Sequence, residues 1–284
     1  MTSERTEKVQ HYRAQEEEKI EQQFLSGTKD EDLGVYCNLF SAKTAVEGQD
    51  GGVVTSLLLK GFREGLFDSA IVVRRIDGYN AQAIVAQNAE DVMASKGTKY
   101  LKVNVTKKLR ELVSQGKKHM AIVCTPCEAK AARKIQQTIS QDCKVTVIGL
   151  FCFEAFNSAK LKEELKTRLV IDLDRVEKTQ VRQGKFIATV EDREVSCRVK
   201  DLDGASEVAC RFCDDFTSRL ADVSVGSVGS KPGYSTVIVR SPIGKQLLRN
   251  IEFAVEAVDK QEIAKLAKFK RERSKKSFAD LKQQ

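Results

Sequence analysis

Along this chain short apolar runs alternate with longer amphipathic stretches, and that alternation is the strongest structural signal it carries. Residues 1–24 are polar and helix-prone and predict an N-terminal arm, and Val35 to Phe40 predicts a strand. G-Q-D-G-G then makes a glycine turn, Val53 to Glu64 an amphipathic helix, Gly65 its stop, and Ser69 to Val73 a buried strand. After A-I-V-A-Q and the loop K-G-T-K-Y, a helix is expected from Val105 to Ser114 and a strand, M-A-I-V-C, ending at Thr125. The helix E-A-K-A-A-R-K-I-Q-Q, the strand K-V-T-V-I-G-L-F and a helix from about Ser158 complete the series. Strand and helix in turn define the fold class α/β, mainly a parallel sheet with helical crossovers. From Val176 to Val199 the pattern changes to K-F-I-A-T-V and E-V-S-C-R-V around E-D-R, which predicts a smaller antiparallel β layer.

Composition adds limits. At 284 residues and 41% apolar the chain can bury a core without covalent staples, and no repeat or low-complexity linker divides it. The organisation expected is a polar N-terminal arm (1–32), a catalytic body (33–259) and a basic C-terminal helix (260–284). The net charge is +8, with nine acidic and five basic residues in 1–32 but nine basic and three acidic in 260–284. The body is basic as well, which fits an anionic ligand. No nucleic-acid partner is expected, because the densest basic stretch, K-F-K-R-E-R-S-K-K, lies in the terminal helix and reads as a solvated face. Arm and tail also offer docking surfaces for other subunits. M-T-S-E-R-T-E-K has no apolar segment of a secretion signal, and runs such as A-I-V-V and S-L-L-L fall far short of the roughly 20 residues of a membrane span. A cytoplasmic, reducing location without a membrane span is the expectation.

In such a compartment the eight cysteines read as ligands or reactive thiols before disulfides. Four stand out: Cys127 in C-T-P-C, Cys152 in G-L-F-C, and Cys210 and Cys213 in C-R-F-C-D-D-F. Cys127 and Cys152 follow the ends of successive strands, which a parallel sheet brings to one edge. The antiparallel layer can return C-R-F-C to the same place. Three readings compete: a metal or iron–sulfur site, a thiol–disulfide oxidoreductase built on C-T-P-C, and a zinc- or cluster-stabilised non-catalytic adaptor. Thiol exchange leaves C-R-F-C unexplained, and the 82 residues between Cys127 and Cys210 exceed the usual zinc-ribbon spacing. Cys37, Cys143 and Cys197 read as inert cysteines.

The order of the motifs discriminates among these readings. G-G-V-V-T-S-L-L with D-S-A-I-V-V after it, G-T-K-Y, T-P-C-E, G-L-F-C, C-R-F-C-D-D-F and A-D-V-S-V-G-S-V-G-S-K-P-G-Y-S-T-V-I-V-R follow one another from about Val35 to Arg240. In that order they resemble the β subunit of coenzyme F420-dependent hydrogenases and dehydrogenases. The resemblance implies an iron–sulfur flavoprotein that holds FAD and a [4Fe-4S] cluster and exchanges a hydride with coenzyme F420 as substrate. A deazaflavin carries a hydride pair whereas a cluster carries single electrons, so a flavin belongs between them. This chemistry requires no histidine base, and the chain has only His11 and His119. The ferredoxin run C-x-x-C-x-x-C-x-x-x-C-P is absent from the sequence, so a single cluster is expected to pass electrons to a partner of hydrogenase, formate dehydrogenase or heterodisulfide reductase type.

Site residues follow from the same resemblance. It implies Cys127, Cys152, Cys210 and Cys213 as cluster ligands, with Cys124 a neighbouring spare thiol. Gly51 and Gly52, with the first helical turn Val53, Val54 and Thr55, are implied for FAD; helix-start N–H groups suit a pyrophosphate. Gly97, Thr98, Lys99 and Tyr100 are implied as further FAD contacts, and Gly226, Ser227, Gly229 and Ser230 as a close-approach loop. Lys231 is a candidate for the acidic tail of the deazaflavin.

Overall fold

The computed structural model describes residues 3–77 and 79–282. Its polar start forms helix α1 (Ser3–Phe24), followed by a small hairpin, β1 (Thr28–Asp30) with β2 (Gly34–Tyr36), and by strand β3 (Asn38–Lys43). The single strand expected over Val35 to Phe40 is therefore two, because β2 pairs locally while β3 joins the main sheet. Helix α2 (Val53–Arg63), strands β4 (Ser69–Asp77) and β5 (Asn80–Ala86), and helices α3 (Ala89–Ala94) and α4 (Val105–Ser114) come next. Strand β6 (His119–Cys124), helix α5 (Pro126–Gln136), strand β7 (Lys144–Leu150) and helix α6 (Ser158–Leu169) extend the alternation. The smaller layer holds β8 (Lys178–Arg182), β9 (Lys185–Val190) and β10 (Arg193–Arg198). The chain closes with β11 (Val223–Gly226), β12 (Ser235–Val239), α7 (Pro242–Leu248), β13 (Ala254–Glu256) and α8 (Lys260–Lys282).

The main sheet has eight strands in the order β13-β3-β12-β11-β7-β6-β4-β5. β11, β7, β6 and β4 are mutually parallel, as the alternation predicts. Antiparallel strands flank them, β12, β3 and β13 on one side and β5 on the other. Helices cover both faces: Val53 and Leu57 of α2 pack with Val72, Val225 and Val237, while Leu109 of α4 and Ala129 of α5 pack with Met120 and Val147. Central strands buried on two faces read as continuous apolar runs, which is why they were legible. In the smaller layer Phe186 is fully buried with Leu161 and Leu165 of α6. Its β9–β10 turn places Glu191 and Asp192 at φ 50° and 61°, the left-handed pair that a two-residue hairpin demands.

The terminal helices are packed against the body. Ile20 of α1 is buried, and Glu16 and Glu17 each pair at 2.7 Å with Lys134 and Lys130 of α5. Helix α8 corrects the expectation of a solvated basic face: Ile263, Ala267, Lys270 and Ser274 are all buried along one of its sides. The polar members of that side bond to main-chain groups far away in sequence, which no local pattern reveals. Among the described residues no helix is long and apolar enough to cross a membrane.

Candidate functional site

Strand direction brings four of the candidate segments to one edge of the sheet. β3, β11, β7 and β6 all end there, and they lead into the glycine turn 48–52, the loop 227–234, Cys152 and the C-T-P-C turn respectively. Outside the carboxyl ends of parallel strands is where an open α/β sheet binds its ligands.

Cys127 lies in the first turn of α5, after Pro126, in a helix start closed by a capping box between Thr125 and Glu128. Its thiol is exposed, 3.3 Å from Thr125 Oγ1 and 3.7 Å from Lys102 Nζ. Cys152 leaves β7 with its N–H donating to Phe216 O at 2.9 Å, which ties its loop to the segment after C-R-F-C. Cys210 lies within the short helical turn Val208–Phe212 and Cys213 caps its end, a segment reached through bridges from Phe156 to Leu101 and Ser206. Ala155 N–H donates to Cys210 Sγ at 3.5 Å, and Cys213 Sγ donates to Asp215 O at 3.6 Å.

The four thiols are electrostatic neighbours. Burial pushes the Cys152 thiol up to about 12, with Cys210, Cys213 and Cys127 adding to the rise and Lys270 opposing it. Burial likewise raises Cys210 and Cys213, each of which also senses Cys127. Among the described residues no three His, Cys, Asp or Glu side chains meet at a single-ion position. Cys124 differs from this group, since it is 2% exposed and packs with Ile122, Ala129 and Val147 under α5. Burial pushes its thiol well above the ordinary value, opposite to what a thiol-exchange nucleophile needs. Cys37 donates to Val239 O, Cys143 donates to Lys117 O, and Cys197 packs in the smaller layer, all in other places.

The glycine turn and the G-T-K-Y loop touch. Thr98 N–H donates to Gln49 Oε1 at 2.8 Å, and Gly51 N–H donates to Ser235 Oγ at 3.0 Å, so the turn also contacts the start of β12. Gly52 is the N-cap of α2 at φ 69° and provides no side-chain cap, whereas α3, α4, α6 and α7 are capped by Asn88, Asn104, Asn157 and Ser241. Val53, Val54 and Thr55 thus open a helix whose N–H groups have no built-in acceptor at the cap, a fit for a phosphate group. A Cβ on Gly52 would lie 1.9 Å from Val46 O. Gly52→Ala is therefore expected to cost at least about 1–3 kcal/mol, measurable by urea denaturation.

Other implied contacts have structural duties. Tyr100 OH accepts from Val181 N–H at 2.9 Å, so it joins the smaller layer to the loop, and burial holds its hydroxyl up at about 12. Lys99 Nζ donates to Ser95 O and Lys96 O at the end of α3, and desolvation pulls it down to about 8 with Arg75 assisting. Gly226 accommodates the Phe151 ring, and Gly229, at φ 85°, donates its N–H to Glu262 Oε2 of α8 at 3.0 Å. Ser230 Oγ and Thr236 Oγ1 are 2.7 Å apart, while Ser227 O accepts the Ser230 N–H. Lys231 is paired with Glu256 at 2.5 Å and lies over Tyr234.

Sequence reading missed the clamp from α8. Lys270 Nζ donates to Cys152 O at 2.5 Å and Asp215 O at 2.7 Å. Arg273 donates to Glu154 at 3.0 Å, Phe153 O at 3.0 Å and Cys210 O at 3.1 Å, and Ser274 Oγ donates to Phe212 O at 3.0 Å. Their positions 270, 273 and 274 share a helix face, the one signal that could have exposed them. A cleft of about 330 Å³, a volume within the small-ligand range, is lined by Ile76, Asn80, Gln82, Leu101, Val103 and Lys102, the last of which also reaches Cys127.

Comparison with known proteins supplies the remaining context. Two family models for the beta subunit of coenzyme F420 hydrogenase/dehydrogenase match the chain, the N-terminal model over residues 37–110 and the C-terminal model over residues 117–266. The chain is 32% identical to the coenzyme F420 hydrogenase subunit beta of Methanothermobacter thermautotrophicus, over 79% of this chain and 83% of that protein. It is 35% identical to the coenzyme F420-dependent sulfite reductase of Methanocaldococcus jannaschii, over 85% of this chain but only 40% of that longer protein. A chain of the F420-reducing [NiFe] hydrogenase complex from Methanosarcina barkeri superposes with a TM-score of 0.82 at 28% identity, covering 88% of this chain and 94% of that one.

Proposed function

The chain belongs to the coenzyme F420 hydrogenase/dehydrogenase β-subunit family, a family of F420-dependent oxidoreductase subunits, and from that premise we propose that it is a flavin- and iron–sulfur-carrying redox subunit. It exchanges a hydride between coenzyme F420 and FAD and passes single electrons through one [4Fe-4S] cluster to or from a partner oxidoreductase subunit. The observation that carries this reading is the gathering of Cys127, Cys152, Cys210 and Cys213 at the sheet edge that also holds the uncapped start of α2.

When bound, the flavin supplies the conversion between hydride and single-electron transfer. The chain's own residues do the positioning. The first turn of α2 and the Gly51–Gly52 backbone would hold the pyrophosphate, and Lys99, in the loop that touches the glycine turn through Thr98, would add positive charge. Lys102, at the Cys127 thiol, and Lys270, at Cys152 and Cys213, offset thiolate charge. Phe151 packs against Phe216 and Phe153 against Phe269 beside the exit from β7, an apolar lining that would limit water there. The buried, protonated Cys124 stays outside the ligand set, and its burial argues against the thiol–disulfide alternative.

Lys99 makes flavin binding pH-dependent. Its folded pKa is depressed to about 8, so the unliganded site loses this positive charge as pH rises through 8, and binding a phosphate must restore the proton. FAD affinity is expected to fall above pH 8, by at most about tenfold per pH unit, and to fall less in Lys99→Arg; flavin fluorescence quenching across pH 6.5–9.5 measures it. For the whole reading, protein purified without oxygen is assayed for flavin, iron, sulfide and zinc, then for F420 reduction with a reduced viologen. Flavin and about four irons per chain with deazaflavin turnover are expected. Zinc alone with no flavin makes the chain an adaptor, and absence of both flavin and iron after reconstitution overturns the proposal.

A further inference from the structure

Lys270 is 1% exposed, and its ammonium donates to two main-chain carbonyls, Cys152 O at 2.5 Å and Asp215 O at 2.7 Å. Among the described residues no carboxylate lies within ion-pair distance of it. The acid beside it, Asp215, is turned to Arg219: its Oδ2 accepts the Arg219 N–H at 2.9 Å and its Oδ1 lies 3.7 Å from Arg219 Nε. Lys102 offers the contrast, since it stands 3.7 Å from Cys127 Sγ but is half-balanced by Glu128 at 3.4 Å and is partly open to water. A buried cation without an anion is costly, and chains retain one where an anion completes the site. The carbonyls it grips lie in the two cysteine loops, one on Cys152 itself and the other on Asp215, two residues after Cys213.

We propose that Lys270 is the built-in counter-charge of the thiolate site, a positioning residue that joins the two ligand-bearing loops through their carbonyls and raises the reduction potential of the cluster they carry. This rests on the cluster reading above. Reduction adds one negative charge to the cluster, and a fixed cation in a water-poor setting stabilises the reduced form more than the oxidised one. The strap geometry reinforces the effect. Lys270 is held by an α8 face whose neighbours Arg273 and Ser274 bond to Cys210 O and Phe212 O, so the charge does not swing away from the thiolates.

The test uses the full chain as wild type, Lys270→Met and Lys270→Arg, reconstituted with iron and sulfide without oxygen. Iron per chain, the reduction potential from an electron-paramagnetic-resonance titration, and urea midpoints of iron-free and iron-loaded protein are measured. Lys270→Met is expected to load iron but to show a lower potential, with Lys270→Arg recovering most of the difference. It is also expected to lower the urea midpoint of loaded protein more than that of iron-free protein, because only the loaded form contains the anion. Loading by Lys270→Arg but not Lys270→Met supports the charge role too. An unchanged potential at full iron, an equal midpoint loss in both forms, or failure of both variants to load overturns it and leaves a backbone strap. If wild type takes up no iron, the cluster reading itself fails, a result separate from any behaviour of the variants.

Discussion

Replacing Cys152 by serine is expected to remove the iron–sulfur chromophore and to lower F420-dependent viologen turnover by more than about 100-fold, while the fold survives. Serine keeps the volume of the side chain but not the soft sulfur donor that iron requires. The loop at position 152 is anchored twice as it leaves β7, by Phe151 N–H to Val225 O and by Cys152 N–H to Phe216 O, both 2.9 Å, so the substitution should leave the loop in place. Burial holds the Cys152 thiol up at about 12, so in the proposed cluster site metal would have to displace its proton. Cys124→Ser supplies the control. Its thiol faces the α5 side of the sheet among apolar residues, so iron content should be retained with only a modest stability loss. Iron and sulfide assays on the two purified variants decide the matter. Iron lost from Cys124→Ser and kept in Cys152→Ser would show the ligand assignment to be wrong.

A larger effect on the fold is expected at Asp222, where β11 begins. Its Oδ2 accepts Val147 N–H at 2.7 Å, its Oδ1 accepts Ser241 Oγ at 2.6 Å, and Arg133 Nη2 of α5 lies 2.9 Å from Oδ1 as an ion pair. Both charged side chains are 1% exposed. Asp222→Ala strands the Arg133 guanidinium in the interior, retaining only neutral partners such as Leu220 O at 2.8 Å. Losing one member of a buried pair costs about 3–5 kcal/mol, a large share of the roughly 5–15 kcal/mol that holds a domain together. Urea denaturation should show this as a lower midpoint with an unchanged slope. Adding Arg133→Met to Asp222→Ala should recover part of the loss, because the stranded charge is then gone. Since Asp222 joins β7, α5 and α7 behind the cysteine edge, the single variant should also load iron poorly at temperatures where wild type loads fully.

The sequence by itself determined the parallel core and the edge to which the cysteines go. Strands buried on both faces must be apolar throughout, and crossover helices must be amphipathic, so β4, β6 and β7 and helices α2, α4 and α5 were written in the residue order. E-D-R was legible as the turn between two alternating segments, and the fold puts Glu191 and Asp192 there in the left-handed region. Cys127 and Cys152 were placed because successive parallel strands point the same way. Tertiary structure alone decided the rest. Which strand lies beside which is a long-range choice: β3 pairs with β12 across almost two hundred residues, and nothing local to either records it. The glycines of 226–230 looked like a ligand loop, yet in the fold Gly226 and Gly229 also make room for Phe151 and Ile263. Helix α8 is the clearest case. Its lysines and arginines read as a water-facing stripe because a charged side chain is ordinarily left in solvent, and only distant carbonyls could make burial of Lys270 tolerable. Those carbonyls belong to Cys152 and Asp215, 118 and 55 residues away, and they meet the helix only once the sheet edge has formed.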